Sequence, residues 1–180
     1  MSQTLVAVFD SWSQADVAVN RLVSSGVPRN DINVHANDES SPAHNDYAAL
    51  SDTNTEPGIM DRLSHFFSNL FGDDHPAEVG HYHEAVRRGS ALLTVFLDNE
   101  ASVDAARSAL YEAGAVDIDE RVRNWKSSGY EAYDAAAPLY TPAEIAAERE
   151  TYPVAQEDVA GGTQGNQGAV RVYPRAPRVE

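Results

Sequence analysis

Two stretches of the chain carry the same order of apolar and polar positions. "TLVAVFDSWSQADVAVNRLVSSGV" begins at Thr4 and "LLTVFLDNEASVDAARSALYEAGAV" at Leu92. A shift of 88 positions brings Asp10 onto Asp98, Asp16 onto Asp104, Ala18 onto Ala106, Leu22 onto Leu110 and Gly26 onto Gly114. Each stretch opens on an apolar, β-branched run suited to a buried strand, Leu5 to Phe9 and Leu92 to Leu97. An aspartate and a short polar turn follow. Apolar residues then recur at helical spacing: Ala15, Ala18, Val19 and Leu22 in the first half, Val103, Ala106 and Leu110 in the second. Ser13 is placed to cap the first helix, and Asp98 or Asn99 the second. Gly26 and Gly114 stand where a helix ends in a left-handed residue. A second short strand follows in each half, Ile32 to His35 and Val116 to Ile118.

This β-α-β unit, present twice, predicts an α+β fold. Its economical form is a ferredoxin-like (βαβ)2 sandwich, with four antiparallel strands and two helices on one face. An open βαβ sheet of another order is the alternative. The domain covers residues 1–125 and carries a helical insertion, 36–89, between its halves. Beyond it lie an aromatic segment with a short helix, 126–152, and an extended C-terminal tail, 153–180.

The insertion begins with a polar, turn-rich loop and then changes character at "GIMDRLSHFFSNLFG". Ile59, Leu63, Phe66, Phe67 and Leu70 form one stripe of a helix over 58–71 and must be buried. The chain's own domain, a subunit interface and a membrane surface compete for that stripe. The acidic flank Asp73-Asp74 and the lack of a basic polar face oppose the membrane.

Next comes "DDHPAEVGHYHEAVRRGS", with three of the six histidines inside nine positions. Pro76 starts a helix there, with Asp74 as its cap, and Val79, Tyr82, Ala85 and Val86 make its apolar face. His81 and His83 then point about 200° apart and cannot share one ion. The helical metal pair needs i, i+4 or i, i+3 spacing, and Arg87 stands where the second histidine of such a pair would be. Only as a strand would His75, His81 and His83 converge on a metal, so the expectation is solvated or interface histidines and no cofactor. Their titration near pH 6.5 is a candidate control of assembly.

In the C-terminal third, Trp125, Tyr130, Tyr133 and Tyr140 are irregularly spaced anchors for an extended segment. "TPAE", Thr141 to Glu144, is a capping box with proline at the first helical position, so a helix runs to about Glu150. After the linker "GGTQGNQG", "AVRVYPR" has the pattern of a lone strand, which either frays or adds to a sheet edge, its own or a neighbouring subunit's.

Composition narrows the function. Hydrophobic residues make up 42% of the 180, enough for a core. A net charge of −15 repels a phosphate backbone, so nucleic acid is not an expected partner. The absence of cysteine excludes thiolate catalysis and disulfides. The N-terminus lacks the basic and apolar regions of a secretory signal, and no run approaches the roughly 20 apolar residues of a membrane span. A cytoplasmic protein is expected, with no membrane partner.

The blocks "VAVFDSWSQADVAVNRLVSSGVPRNDINV", "VGHYHEAVRRGSALLTV", "GAVDIDERVRNWKSSGY" and "YTPAEIAAERETYPV" resemble the bacterial general stress protein 17M-like, or heat-induced stress protein YflT-like, domain family. The resemblance covers roughly residues 1 to 155. It implies a ferredoxin-like fold and a role in stress, and supplies no catalytic residues. In many relatives a second domain of the YsnF/AvaK type follows, beginning with a strand much like "GAVRVYPR"; that domain's role is not carried over.

Three functions are weighed. The first is a non-enzymatic stress-response protein acting through self-association, as a homo-oligomer, or through a protein partner. Its interface candidates are Ile59, Leu63, Phe66, Phe67, Leu70, Tyr130, Tyr133, Tyr140, Val170, Val172 and Tyr173. The second is a small-ligand regulatory or sensor domain, which requires a pocket with convergent polar groups. The third is an enzyme, for which Asp10 and Asp98 form the only symmetric carboxylate pair, and capping explains them better. The first is the preferred expectation.

Overall fold

The computed structural model describes residues 2–36, 59–72, 77–151 and 170–174. In order these form β1 (Gln3–Phe9), α1 (Trp12–Ser24), a 3-10 turn (Arg29–Asp31), β2 (Ile32–Ala36), α2 (Ile59–Phe71), α3 (Ala77–Arg87), β3 (Ala91–Leu97), α4 (Glu100–Glu112), α5 (Ile118–Ser127), α6 (Pro142–Thr151) and β4 (Val170–Pro174). The architecture is mixed α+β, with a four-stranded antiparallel open sheet in the order β2-β3-β1-β4.

The two halves meet at the centre of this sheet, where β1 and β3 pair from Gln3↔Leu97 to Phe9↔Ala91. Their helices α1 and α4 cover one face. There Leu5, Ala7, Phe9, Ala91, Leu93 and Val95 pack against Ala15, Ala18, Leu22, Val103, Ala106 and Leu110. Gly26 and Gly114 leave these helices at φ +100 and +96, the left-handed region expected of them. Asn99 caps α4, accepting from the Ser102 N–H. For α1 the cap is Ser11 and not Ser13: Ser11 has extended backbone and its Oγ accepts from the Gln14 N–H at 3.3 Å.

The opposite face is covered too. Val6, Val8 and Leu92 pack against Leu63 and Phe67 of α2, Val79, Tyr82, Ala85 and Val86 of α3, and Ile118, Val122 and Trp125 of α5. The molecule therefore has three layers, where the sequence pattern led us to expect two helices on one face. Burial on both sides explains why the central strands show no alternation of apolar and polar residues.

Two expectations about strands change. Val116 to Ile118 makes only a bridge, with the Val116 N–H donating to Val8 O at 2.7 Å. Asp117 then turns the chain into α5 by accepting from the N–H groups of Asp119 and Glu120. The edge of β1 left open beyond that bridge is filled by the tail. Residues 170–174 run antiparallel to β1 from Gln3↔Pro174 to Ala7↔Val170, so this strand has a partner within its own chain. Tyr173 donates to Glu78 of α3 at 3.2 Å, and Arg171 pairs with Glu78 and with Asp119 of α5.

Candidate functional site

Among the described residues, α2, α3 and the segment 130–133 enclose a cleft of about 570 Å3. Its walls are mostly apolar, with Phe67, Val79, Ala77 and the Tyr133 ring; Ser64, His81, His83 and Glu131 bring polar groups to it. The size lies within the range of small-molecule sites, roughly 300–1,000 Å3.

Each wall follows from local sequence. The stripe of α2 buries Leu63 and Phe67 against the sheet, which leaves Ser64 beside them on the solvent side. The face of α3 buries Val79, Tyr82 and Val86 and tilts His83 in with them. Gly80 brings α3 close to the third wall: a Cβ built there would meet Tyr133 Cβ at 3.5 Å, ordinary contact. The segment after α5 carries Tyr130, whose N–H donates to Trp125 O at 2.9 Å and whose ring meets the Trp125 ring edge-on at 5.6 Å.

His83 is buried at 6% exposure. Its Nδ1 lies 2.7 Å from Val79 O and its Nε2 lies 3.1 Å from Ser64 Oγ. A carbonyl oxygen only accepts, so in the neutral ring Nδ1 carries the proton and Nε2 offers its lone pair to the Ser64 hydroxyl. The ring sits between Phe67, at 5.5 Å, and Tyr133, at 5.0 Å. His81 borders the same cleft. Burial, then Lys126, holds its imidazolium form below the usual range, while Asp119 and Glu78 oppose that shift.

Behind the cleft lies a buried ionic hub. Glu84, 1% exposed, accepts from Arg87 Nε at 3.0 Å and from Arg88 Nε at 2.7 Å. Burial alone would raise its carboxyl, but the donated hydrogen bonds and charges of Arg87 and Arg88 win and hold it below the usual carboxylate range. Arg88 goes on to Glu148 of α6 at 3.0 Å, Trp125 Nε1 donates to the same carboxylate oxygen at 3.0 Å, and Arg88 lies over the Trp125 ring at 4.9 Å. Arg87 donates to Pro138 O at 3.0 Å and lies over the Tyr140 ring at 4.8 Å, and the Tyr140 N–H donates to Arg87 O. Held by Glu84, the two arginines tie α3 to α5, α6 and the aromatic segment. The box at Thr141 and Glu144 closes as expected, the Thr141 N–H donating to Glu144 at 2.8 Å and the Glu144 N–H to Thr141 Oγ1 at 3.4 Å.

The structure redistributes the interface candidates. Leu63, Phe67, Leu70 and Val170, offered as interface candidates, are instead buried in the chain's own core and have no surface to offer a partner. Phe66 is half-buried among His35, Phe67 and Phe96. Tyr130 and Tyr133 line the cleft, Tyr140 lies under Arg87, and Val172 and Tyr173 pack on the two faces of the sheet, all half-buried. The side chain of Ile59 lies outside the described residues, as do His75, Asp73 and Asp74. His81 and His83 stand on a helix, as the spacing of Val79, Tyr82, Ala85 and Val86 predicts, but His83 is buried within its own chain and is not the solvated or interface histidine expected. Among the described residues no group of three or more His, Cys, Asp or Glu is placed to hold a metal ion. Asp10 and Asp98 fall at opposite ends of the antiparallel β1–β3 pair and cannot act together; Asp10 pairs with Arg121, and Asp98 accepts from Ser2 Oγ at 3.0 Å.

The pairing of Ser64 with His83 escaped the sequence reading. The two lie nineteen positions apart on different helices, and nothing in their spacing signals contact. Comparison of the chain with protein-family models, with curated proteins and with solved structures finds no match. No helix among the described residues is long and apolar enough to cross a membrane.

Proposed function

We propose that the chain is a small-ligand-binding regulatory domain of the general stress type, and that its ligand enters the cleft between α2, α3 and residues 130–133. The observation that carries this reading is the cleft itself: apolar walls around convergent polar groups, with Ser64 and the oriented His83 at its side. The ligand is mostly apolar with one hydrogen-bonding group. It is uncharged or cationic, because the chain carries a net charge of −15 and Glu131 stands on the wall. The ferredoxin-like arrangement belongs to this proposal as well. The order β2-β3-β1-β4 and the placement of α1 and α4 on one face support it, with the tail as fourth strand.

Self-association, the expectation from sequence, loses part of its support, because Leu63, Phe67, Leu70 and Val170 are buried in the chain's own core. Among the described residues the large apolar side chains that stay exposed are Val17, Val23, Tyr111 and Leu139.

Titration with the neutral dye N-phenyl-1-naphthylamine tests the ligand reading. The expected result is saturable 1:1 binding with a blue-shifted emission, lost in Gly80→Leu, whose side chain fills the cleft from α3. Absence of saturable binding, or binding unchanged in Gly80→Leu, would overturn it.

A further inference from the structure

We propose that Ser64 and His83 form a nucleophile–base pair that transfers an acyl group to water from an uncharged ester held in the cleft. The inference rests on the ligand-binding reading and adds a reaction to it.

Three features of the geometry support the pair. First, the hydrogen bond between Ser64 Oγ and His83 Nε2, at 3.1 Å, is the contact a general base needs to take a hydroxyl proton. Second, Val79 O holds Nδ1–H at 2.7 Å, so the ring is locked in the tautomer with its lone pair toward the serine. A backbone carbonyl here takes the orienting role that an aspartate fills in a three-residue arrangement. The flanking rings of Phe67 and Tyr133 fix the plane of the imidazole. Third, Ser64 is exposed and lines the cleft, so its oxygen is reachable from a bound ligand, while the base behind it is shielded from bulk water. Ala77, in the first turn of α3, also lines the cleft.

The steps balance without any further reagent. Ser64 Oγ bonds to the ester carbonyl carbon as its proton moves to His83 Nε2. The carbon–oxygen bond to the alcohol breaks, and the alcohol leaves with that proton. Water then attacks the acyl-serine, again giving a proton to Nε2. The carboxylic acid departs as the proton returns to Ser64 Oγ.

An alkyl fluorophosphonate is the probe. Its phosphorus bonds to the serine oxygen as fluoride leaves. Mass spectrometry of the treated full chain is expected to find one adduct, on Ser64, with a labelling rate that rises with pH and reaches a plateau once the imidazole is neutral. Ser64→Ala abolishes the adduct, His83→Gln slows labelling at least about 100-fold, and Ser108→Ala, on the far face, changes nothing. Should His83→Gln not fold, the pH profile of the unaltered chain decides. A rate proportional to hydroxide with no plateau would overturn the proposal, as would an adduct on tyrosine only, no adduct, or undiminished labelling in a folded His83→Gln. Dye binding that persists in Ser64→Ala keeps the two readings apart: the cleft then binds a ligand whether or not the serine reacts.

Discussion

His35 stands away from the cleft and far from its ordinary range. On β2 its ring lies 5.8 Å from Phe66 of α2, and its Nε2 is covered with no hydrogen-bond partner among the described residues. Burial, then the nearby charge of Arg62, lowers its pKa from 6.5 to about 4. The unfolded chain therefore takes up this proton before the folded one does. The contribution is complete above about pH 6.5 and is lost as pH falls toward 4, by at most about 3 kcal/mol. Urea unfolding between pH 7 and 4 should show this slope, and His35→Phe should flatten it while keeping the ring contact; an unchanged slope in the variant would contradict the assignment. Glu84 acts in the same direction at lower pH, since its folded value is depressed and its stabilisation is lost as it protonates. Glu84→Gln leaves Arg87 and Arg88 without their buried counter-charge and should cost about 3 kcal/mol by urea denaturation. Gly89 is the third sensitive position. It ends α3 at φ +98, and a Cβ there would meet Ile145 of α6 at 2.6 Å. Gly89→Ala combines backbone strain with that clash and should cost about 2 kcal/mol or more, read from the melting temperature.

At the scale of elements, β4 is the piece that covers the edge of β1. Removing residues 152–180 would uncover the edge of β1 and part of Tyr82, and would leave Glu78 and Asp119 without Arg171. The shortened chain should melt lower and associate through the open edge, as light scattering after size exclusion would show. A monodisperse, equally stable product would contradict the role given to the strand. The same elements show what the sequence disclosed. β1 and β3 were legible as apolar, β-branched runs and α1 and α4 by their helical period, each with a matching repeat 88 positions away. The capping box of α6 was legible because its hydrogen bonds are local. The second covered face was also written in the chain: Leu5 to Phe9 and Leu92 to Leu97 lack alternation, which is the mark of strands buried on both sides. α5 was hidden by its charges, Asp119, Glu120, Arg121, Arg123 and Lys126, which outnumber the three buried residues Ile118, Val122 and Trp125. The pairing of β4 with β1 and of Ser64 with His83 depends on contacts between distant segments, which no local pattern specifies.

For the whole molecule, the three layers account for where the chain's apolar residues go. Both faces of the sheet are sealed by the chain's own helices, so the molecule needs no second copy to bury them. What it retains is a cleft on the α2–α3 side, braced from behind by the Glu84 hub and ending at Tyr130 and Tyr133. The most direct test is nuclear magnetic resonance of the 15N-labelled full chain titrated with N-phenyl-1-naphthylamine. The account predicts saturable shifts concentrated at the amides of Ser64, Gly80, His83 and residues 130–133, with α1 and α4 unmoved. Shifts centred on α1 and α4, or none that saturate, would contradict it.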